Sequence, residues 1–242
     1  MRLPNSTHEA HPWVIARIAP DFTLLDVWAL PASGGREEFG SLLEIMASFD
    51  PARAGSAASR ALFSLRFRLG RWFGWDDAAR RRRIPGCTET TLSARLSDDL
   101  RGSASAAEIS GAMQRAAGGF IPLYRTDDEW AAEISNATVH GVLHLAWVEQ
   151  GEGRHRAHMA VYVKPRGRLG KTYMMLIGPF RHLIVYPALM RAIGRAWDAR
   201  DVASCLDEAP SMETPMPSPI PRSPEPSARG CDRPPPTRTH KS

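Results

Sequence analysis

Cysteine is scarce in this chain and poorly placed for covalent or metal work. Its three thiols, Cys87, Cys205 and Cys231, are odd in number, far apart and never in a C-x-x-C arrangement. That argues against a disulfide framework and against a zinc finger. The first residues, MRLPNSTHEAHPW, lack the apolar core of a secretory signal, so a reducing cytoplasm is the expected location. Nucleotide fingerprints are missing too: neither Gly34-Gly35 nor Gly118-Gly119 belongs to a G-x-G-x-x-G or Walker loop, and no G-x-S-x-G elbow occurs. The run Gly34-Gly35-Arg36-Glu37-Glu38-Phe39 lies one residue away from the signature of diguanylate cyclases. The inserted arginine and the short stretch before it speak against that activity. A helix start explains it better, with Ser33 and the glycines making the turn and two glutamates at the positive end of the helix dipole.

Long unbroken apolar runs are also absent. The best imitation of a membrane span, Tyr173 to Met190, carries Arg181 and His182 at its centre and is interrupted by Pro179 and Pro187. An arginine at mid-bilayer costs about 2.5–3.5 kcal/mol on the insertion scale. A buried helix of a soluble domain is the reading that remains.

What is present is a foldable body with an unlike tail. Apolar residues make up 43% of the 242, yet half of the 20 prolines lie from Pro210 onward among Ser, Thr and Arg. The expected organisation is a flexible start at 1–12, one domain at 13–204, and a disordered tail at 205–242. The tail is electrically neutral, so the net charge of +5 belongs to the body.

Periodicity predicts the elements. Asp21 to Leu30 reads as a first strand, and Arg36 to Ser48 as a helix with Phe39, Leu42, Leu43 and Met46 at helical spacing. Ala58 to Trp75 reads as an amphipathic helix, with Leu62, Leu65, Leu69, Trp72 and Phe73 on one arc and Arg60, Ser64, Arg68 and Arg71 on another. With Arg80, Arg81, Arg82 and Arg83 this basic face reads first as a solvated surface whose arginines lie over neighbouring apolar groups, and contact to an anionic membrane is the lesser reading; aromatic residues are not interleaved on it beyond Trp75, so no nucleic-acid partner is expected. A strand at Glu89 to Leu96 and a helix at Ala104 to Ala116 are fainter. Phe120 to Arg125 and Glu129 to Ser135 read as a strand pair joined by a turn at Thr126-Asp127-Asp128.

The clearest pattern is Thr138 to Pro165, a hairpin about Glu152 in which Trp147 opposes Ala157, Leu145 opposes Met159 and Leu143 opposes Val161. One face is apolar throughout. The other carries His140, His144, Arg154, Arg156 and His158, and is expected to face water; a metal site on its histidines is the lesser reading. A long helical stretch from Arg168 to Arg200 closes the pattern, apolar nearly all round in its first half and therefore expected to be enclosed.

This order resembles the helix-grip architecture of Bet v 1 and START-like domains: an α+β fold whose curved antiparallel sheet grips a long C-terminal helix, with two short helices after the first strand. The blocks SRALFSLRFRLGRWFGW and GRLGKTYMMLIGPFRHLIVYPALMR are similar to those of an uncharacterised bacterial family, the domain of unknown function of the 2867 type, which also occurs fused behind NAD(P)-binding, short-chain-dehydrogenase-like domains. The likeness runs from about Trp13 to Trp197. This chain lacks the NAD(P)-binding partner, so no cofactor is inherited.

The resemblance implies a cavity between sheet and C-terminal helix that holds a small apolar molecule. Trp147, Met159, Val161, Tyr173, Met174, Ile177 and Phe180 are its expected lining, with Arg181 and His182 as polar groups. An enzyme of cyclase, hydratase or isomerase type acting in the same cavity is the alternative. A peripheral membrane or protein-interaction module using the basic helix is the third reading.

Overall fold

A computed structural model describes residues 1–48, 83–108 and 119–207. The predicted basic helix at 58–75, with Arg60, Arg68 and Arg71, lies outside them, as do Arg80, Arg81, Arg82, most of the predicted helix at 104–116, and the tail beyond 207.

The chain begins with a short strand, β1 (Arg2–Leu3), and two helical turns, α1 (Asn5–Glu9) and α2 (Val14–Ile18). Then come a long strand, β2 (Thr23–Gly34), a 3-10 turn (Arg36–Glu38) and α3 (Phe39–Ser48). Four consecutive strands follow: β3 (Ile121–Arg125), β4 (Glu129–Ser135), β5 (Val139–Gly151) and β6 (Arg154–Pro165). The end is helical: α4 (Gly167–Phe180), a π-turn (Arg181–Val185) and α5 (Tyr186–Asp207). All strand pairs are antiparallel, and the six strands form one sheet in the order β1-β2-β6-β5-β4-β3. The fold is therefore α+β, a curved antiparallel sheet with a long C-terminal helix.

The β5–β6 hairpin has the register read from its alternation: Trp147 pairs with Ala157, Leu145 with Met159 and Leu143 with Val161. Its tip places Glu152 at φ 55° between two glycines of positive φ. The Gly-Gly run is settled locally as well. Glu38 reaches back to accept the Gly35 N–H at 2.6 Å, which starts the helix. The region 89–96 forms a 3-10 turn at Leu92–Arg95 and no strand.

Two expectations are overturned. The first twelve residues are built into the fold: β1 pairs with β2, and His8 is buried. The second is the wet sheet face. Helices α3 and α5 cover one face, where Leu42, Leu43, Leu145, Trp147, Met159, Ile193 and Trp197 share a core. The N-terminal turns and the 84–100 segment cover the other, through Trp13, Ile15, Phe22, Ile84 and Leu92. His140, His144 and His158 are consequently buried.

The covered polar face is held by two glutamates of β4. Glu133 accepts from His140 Nε2 at 2.9 Å, from the Leu92 N–H at 3.0 Å and from the Thr91 hydroxyl. Glu129 accepts from His144 Nε2 at 3.1 Å, from the Tyr124 hydroxyl at 2.8 Å and from the Val14 N–H at 3.0 Å. Each carboxylate thus takes an imidazole from β5 and a backbone N–H from the covering segment, which fastens that segment to the sheet. Charge-assisted bonds of this kind contribute about 1.5–3 kcal/mol each, against the cost of burying the charge.

The start of α4 is fixed by close backbone approach. Gly167 has φ 59°, and a Cβ on Gly170 would lie 2.1 Å from the Thr138 carbonyl oxygen. Arg166 N–H donates to that same oxygen at 2.9 Å. We expect Gly170→Ala to lower stability by about 1–3 kcal/mol through forced displacement of the helix. Urea unfolding of the two proteins checks this; equal midpoints would show that α4 does not depend on the contact.

Acid should loosen the polar face. Burial, reinforced by the neighbouring His144 and His158, pushes His8 down to about 3, and burial with Arg156 nearby pushes His158 down to about 4. Burial opposes the Glu129 carboxylate, yet the bonds from His144, Val14 and Tyr124 hold it below its usual range. All three shifts are downward, so their stabilisation is complete above the unfolded values and is lost as pH falls. For the histidines the loss starts near pH 6.5, their ordinary value, and continues toward 4. A urea midpoint that drops steadily over that range, with a shallower slope in His8→Leu, is the expected outcome.

Candidate functional site

Prolines shape the C-terminal helix. Pro187 has no N–H for the carbonyl one turn earlier, and its ring crowds that carbonyl. The chain answers with the π-turn Arg181–Val185, set between Pro179 and Pro187. Such turns are frequent at functional sites. Here the turn swings Arg181 and His182 toward the sheet.

They meet Asp26. A register shift between Leu24 and Asp26 re-aims β2 at this point, and the Asp26 side chain enters the α5 side of the sheet with 1% of its surface exposed. Its Oδ2 accepts from Arg181 Nη2 at 2.5 Å and from the Tyr186 hydroxyl at 3.1 Å. Its Oδ1 lies 3.3 Å from His182 Nε2 and 3.6 Å from Arg2 Nη2. Burial, partly offset by Arg181 and abetted by Asp26, holds the Tyr186 phenol well above its ordinary pKa, so it donates at neutral pH.

Trp28, two residues along the same face of β2, completes the group. Its ring lies 4.8 Å from that of Tyr186 and 6.0 Å from His182. One carboxylate is therefore ringed by two guanidinium groups, an imidazole and two aromatic rings. Two donors in this cluster, Trp28 Nε1 and Arg181 Nε, are buried without a hydrogen-bond partner. A buried unpaired donor costs about 1–3 kcal/mol. Acceptors that would match them are the oxygens of a carboxylate or carbonyl.

The expected lining residues separate into groups. Trp147 and Met159 are fully buried in the core under α3 and α5, and Val161 packs at its edge. The Trp147 indole donates to the Gly35 carbonyl at 2.8 Å, and its ring meets Phe39 and Trp197. Tyr173, Met174 and Ile177 lie half-buried on α4, and Phe180 is exposed. Arg181 and His182 stand apart from both groups, at Asp26. The enclosure expected for the first half of the helix is not found: of α4 only Gly170 is fully buried. Among the described residues the helix is attached near its two ends, by Gly170 on Thr138 and by Arg181 on Asp26, and its apolar middle is only half-buried.

Asp26, Trp28 and Tyr186 were not legible as site residues. Alternation from Asp26 through Trp28 to Leu30 was the available signal, because it puts an acid on the strand face that leads into the core.

Two surface clefts lie elsewhere. One, of about 710 Å³, runs between Leu30–Ser33 and the hairpin tip, with Arg154, His155 and Arg156 on its wall; the other, of about 440 Å³, lies between Arg36–Gly40 and Arg125–Asp127. Among the described residues no group of three ligating side chains is placed to hold a metal, and no helix is long and apolar enough to cross a membrane.

No curated protein and no solved structure matches this chain. A family model does, that of a protein of unknown function (DUF2867), and its match over residues 18–188 takes in Asp26, Trp28, Arg181, His182 and Tyr186 together. The match spans well over half of the sequence, from the end of α2 to just past the helix break, and the chain belongs to this family.

Proposed function

We propose that this domain binds a small amphiphile, a molecule with an apolar body and a carboxylate or carbonyl head, beneath α4. The observation that carries the reading is the Asp26 cluster with its two unpaired buried donors, Trp28 Nε1 and Arg181 Nε, at the end of a helix that carries the half-buried Tyr173, Met174 and Ile177. Donors that find no acceptor in the protein suit a ligand oxygen. A half-buried apolar helix face suits a hydrocarbon chain, whose burial contributes about 0.8 kcal/mol per methylene.

On this reading the domain works as a helix-grip scaffold of the Bet v 1 kind, in the cytoplasm and without catalytic chemistry. The filled α3–α5 core serves as the fixed wall, and the part of the helix before the π-turn is the part that gives.

A fluorescent fatty-acid analogue, dansyl-undecanoate, titrated into the full-length chain tests this. Saturable binding is expected, and Arg181→Gln should weaken it about tenfold or more, the equivalent of one charge-assisted hydrogen bond. Native mass spectrometry should show one analogue per chain. Absence of saturable binding, or equal affinity in an Arg181→Gln protein that retains the parental circular dichroism, would overturn the reading.

A further inference from the structure

The outward side of α4 is unlike any other surface described. Leu169 is 61% exposed, Met175 77%, Leu176 67%, Phe180 47%, and Leu183, in the π-turn, 77%. At 100° per residue, Leu169, Leu176 and Phe180 fall within one narrow arc, and Met175 stands about 100° round the exposed half from Leu176. Arg168 and Lys171, both exposed, lie to one side of that arc on the first turns, flanking Met175. Single exposed apolar residues are normal on a protein; a continuous band of long hydrocarbon side chains is not.

Charge narrows the choice of what covers it. From Arg166 to Trp197 the chain holds Arg166, Arg168, Lys171, Arg181, Arg191 and Arg195 and no acidic residue. Arg191 and Arg195, farther along α5, are exposed. A second copy of the chain, meeting this face through a twofold axis, would set its cations against their equals. A specific protein partner would need polar groups on the band to fix its register, and the band offers only hydrocarbon. A hydrocarbon arc adjoining a side that carries Arg and Lys is the pattern of a helix lying in a lipid interface.

We infer that the outer face of α4 docks the domain on an anionic membrane surface, Leu169, Met175, Leu176, Phe180 and Leu183 entering the headgroup boundary and Arg168 and Lys171 meeting acidic lipid headgroups. The inference does not depend on the amphiphile site, which uses the other side of the same helix. It also differs from the membrane contact expected of the basic helix at 58–75, because it rests on described side chains alone.

Co-sedimentation of the full-length chain with vesicles decides it, using phosphatidylcholine alone and phosphatidylcholine with about a third phosphatidylserine. The protein should pellet with the mixed vesicles and remain in solution with the neutral ones. Met175→Glu combined with Leu176→Glu should abolish pelleting, and Arg168→Glu combined with Lys171→Glu should lower the partition coefficient about tenfold or more. All four positions are exposed, so each variant should keep the parental circular dichroism and melting temperature. The inference fails if the wild type stays in solution with both vesicle types, if it binds neutral vesicles equally, or if the Met175/Leu176 variant pellets like the wild type. A concentration-dependent dimer in light scattering that the Met175/Leu176 variant splits would overturn it in favour of self-association.

Discussion

Asp26 is cut off from water, so its charge has to be met by protein groups, and the groups that meet it come from distant parts of the chain. Arg2 arrives from the first strand, and Arg181, His182 and Tyr186 from the break in the last helix. Removing the carboxylate would leave two guanidinium groups without their counter-charge in a half-buried place, a change of the kind that costs about 3–5 kcal/mol. The cluster therefore determines where α4 ends and α5 begins, and through them how the C-terminal helix lies on the sheet.

The opposite face of the sheet answers the same electrostatic demand differently. There the acids, Glu129 and Glu133, belong to one strand and their imidazoles to the next, and the remaining acceptor capacity goes to backbone N–H groups of the cover. The sheet thus has a largely hydrocarbon side under α3 and α5 and a polar side under the N-terminal turns, both closed. Buried polar contacts of this type demand specific partners in specific places, which fixes the seating of the cover more strictly than apolar packing does.

The hairpin of β5 and β6 was legible to the residue, because strict alternation on both sides of a Gly-Glu-Gly turn leaves one register in which the apolar sets coincide. What alternation does not carry is the fate of the polar face. His140, His144 and His158 looked like solvent-facing residues, and the information that buries them lies in β4: Glu129 and Glu133, four apart on one strand face, stand beside the histidines in the register. The helix misled in the opposite sense. Its apolar run, Tyr173 to Ile177, resembles the core of a domain, yet burial depends on what packs against a helix, and α4 meets the sheet chiefly along the end of β6. Arg181 and His182 stood out because they broke that run, but their partner Asp26 sits in an unremarkable strand about 155 positions away.

Strand order carries a consequence for how the molecule is made. Strand β2 lies between β1 and β6, so the long edge of β2 that faces β6 has no partner until residues 154–165 have left the ribosome. The meander β3 to β6 pairs neighbour with neighbour and can zip locally, whereas joining β2 to it closes a loop of more than a hundred residues. Contacts that distant in sequence slow folding, and they leave apolar strand edges open while synthesis runs. For that interval Val27 and Leu30, the most deeply buried residues of β2 in the finished fold, are the ones most open to wrong partners.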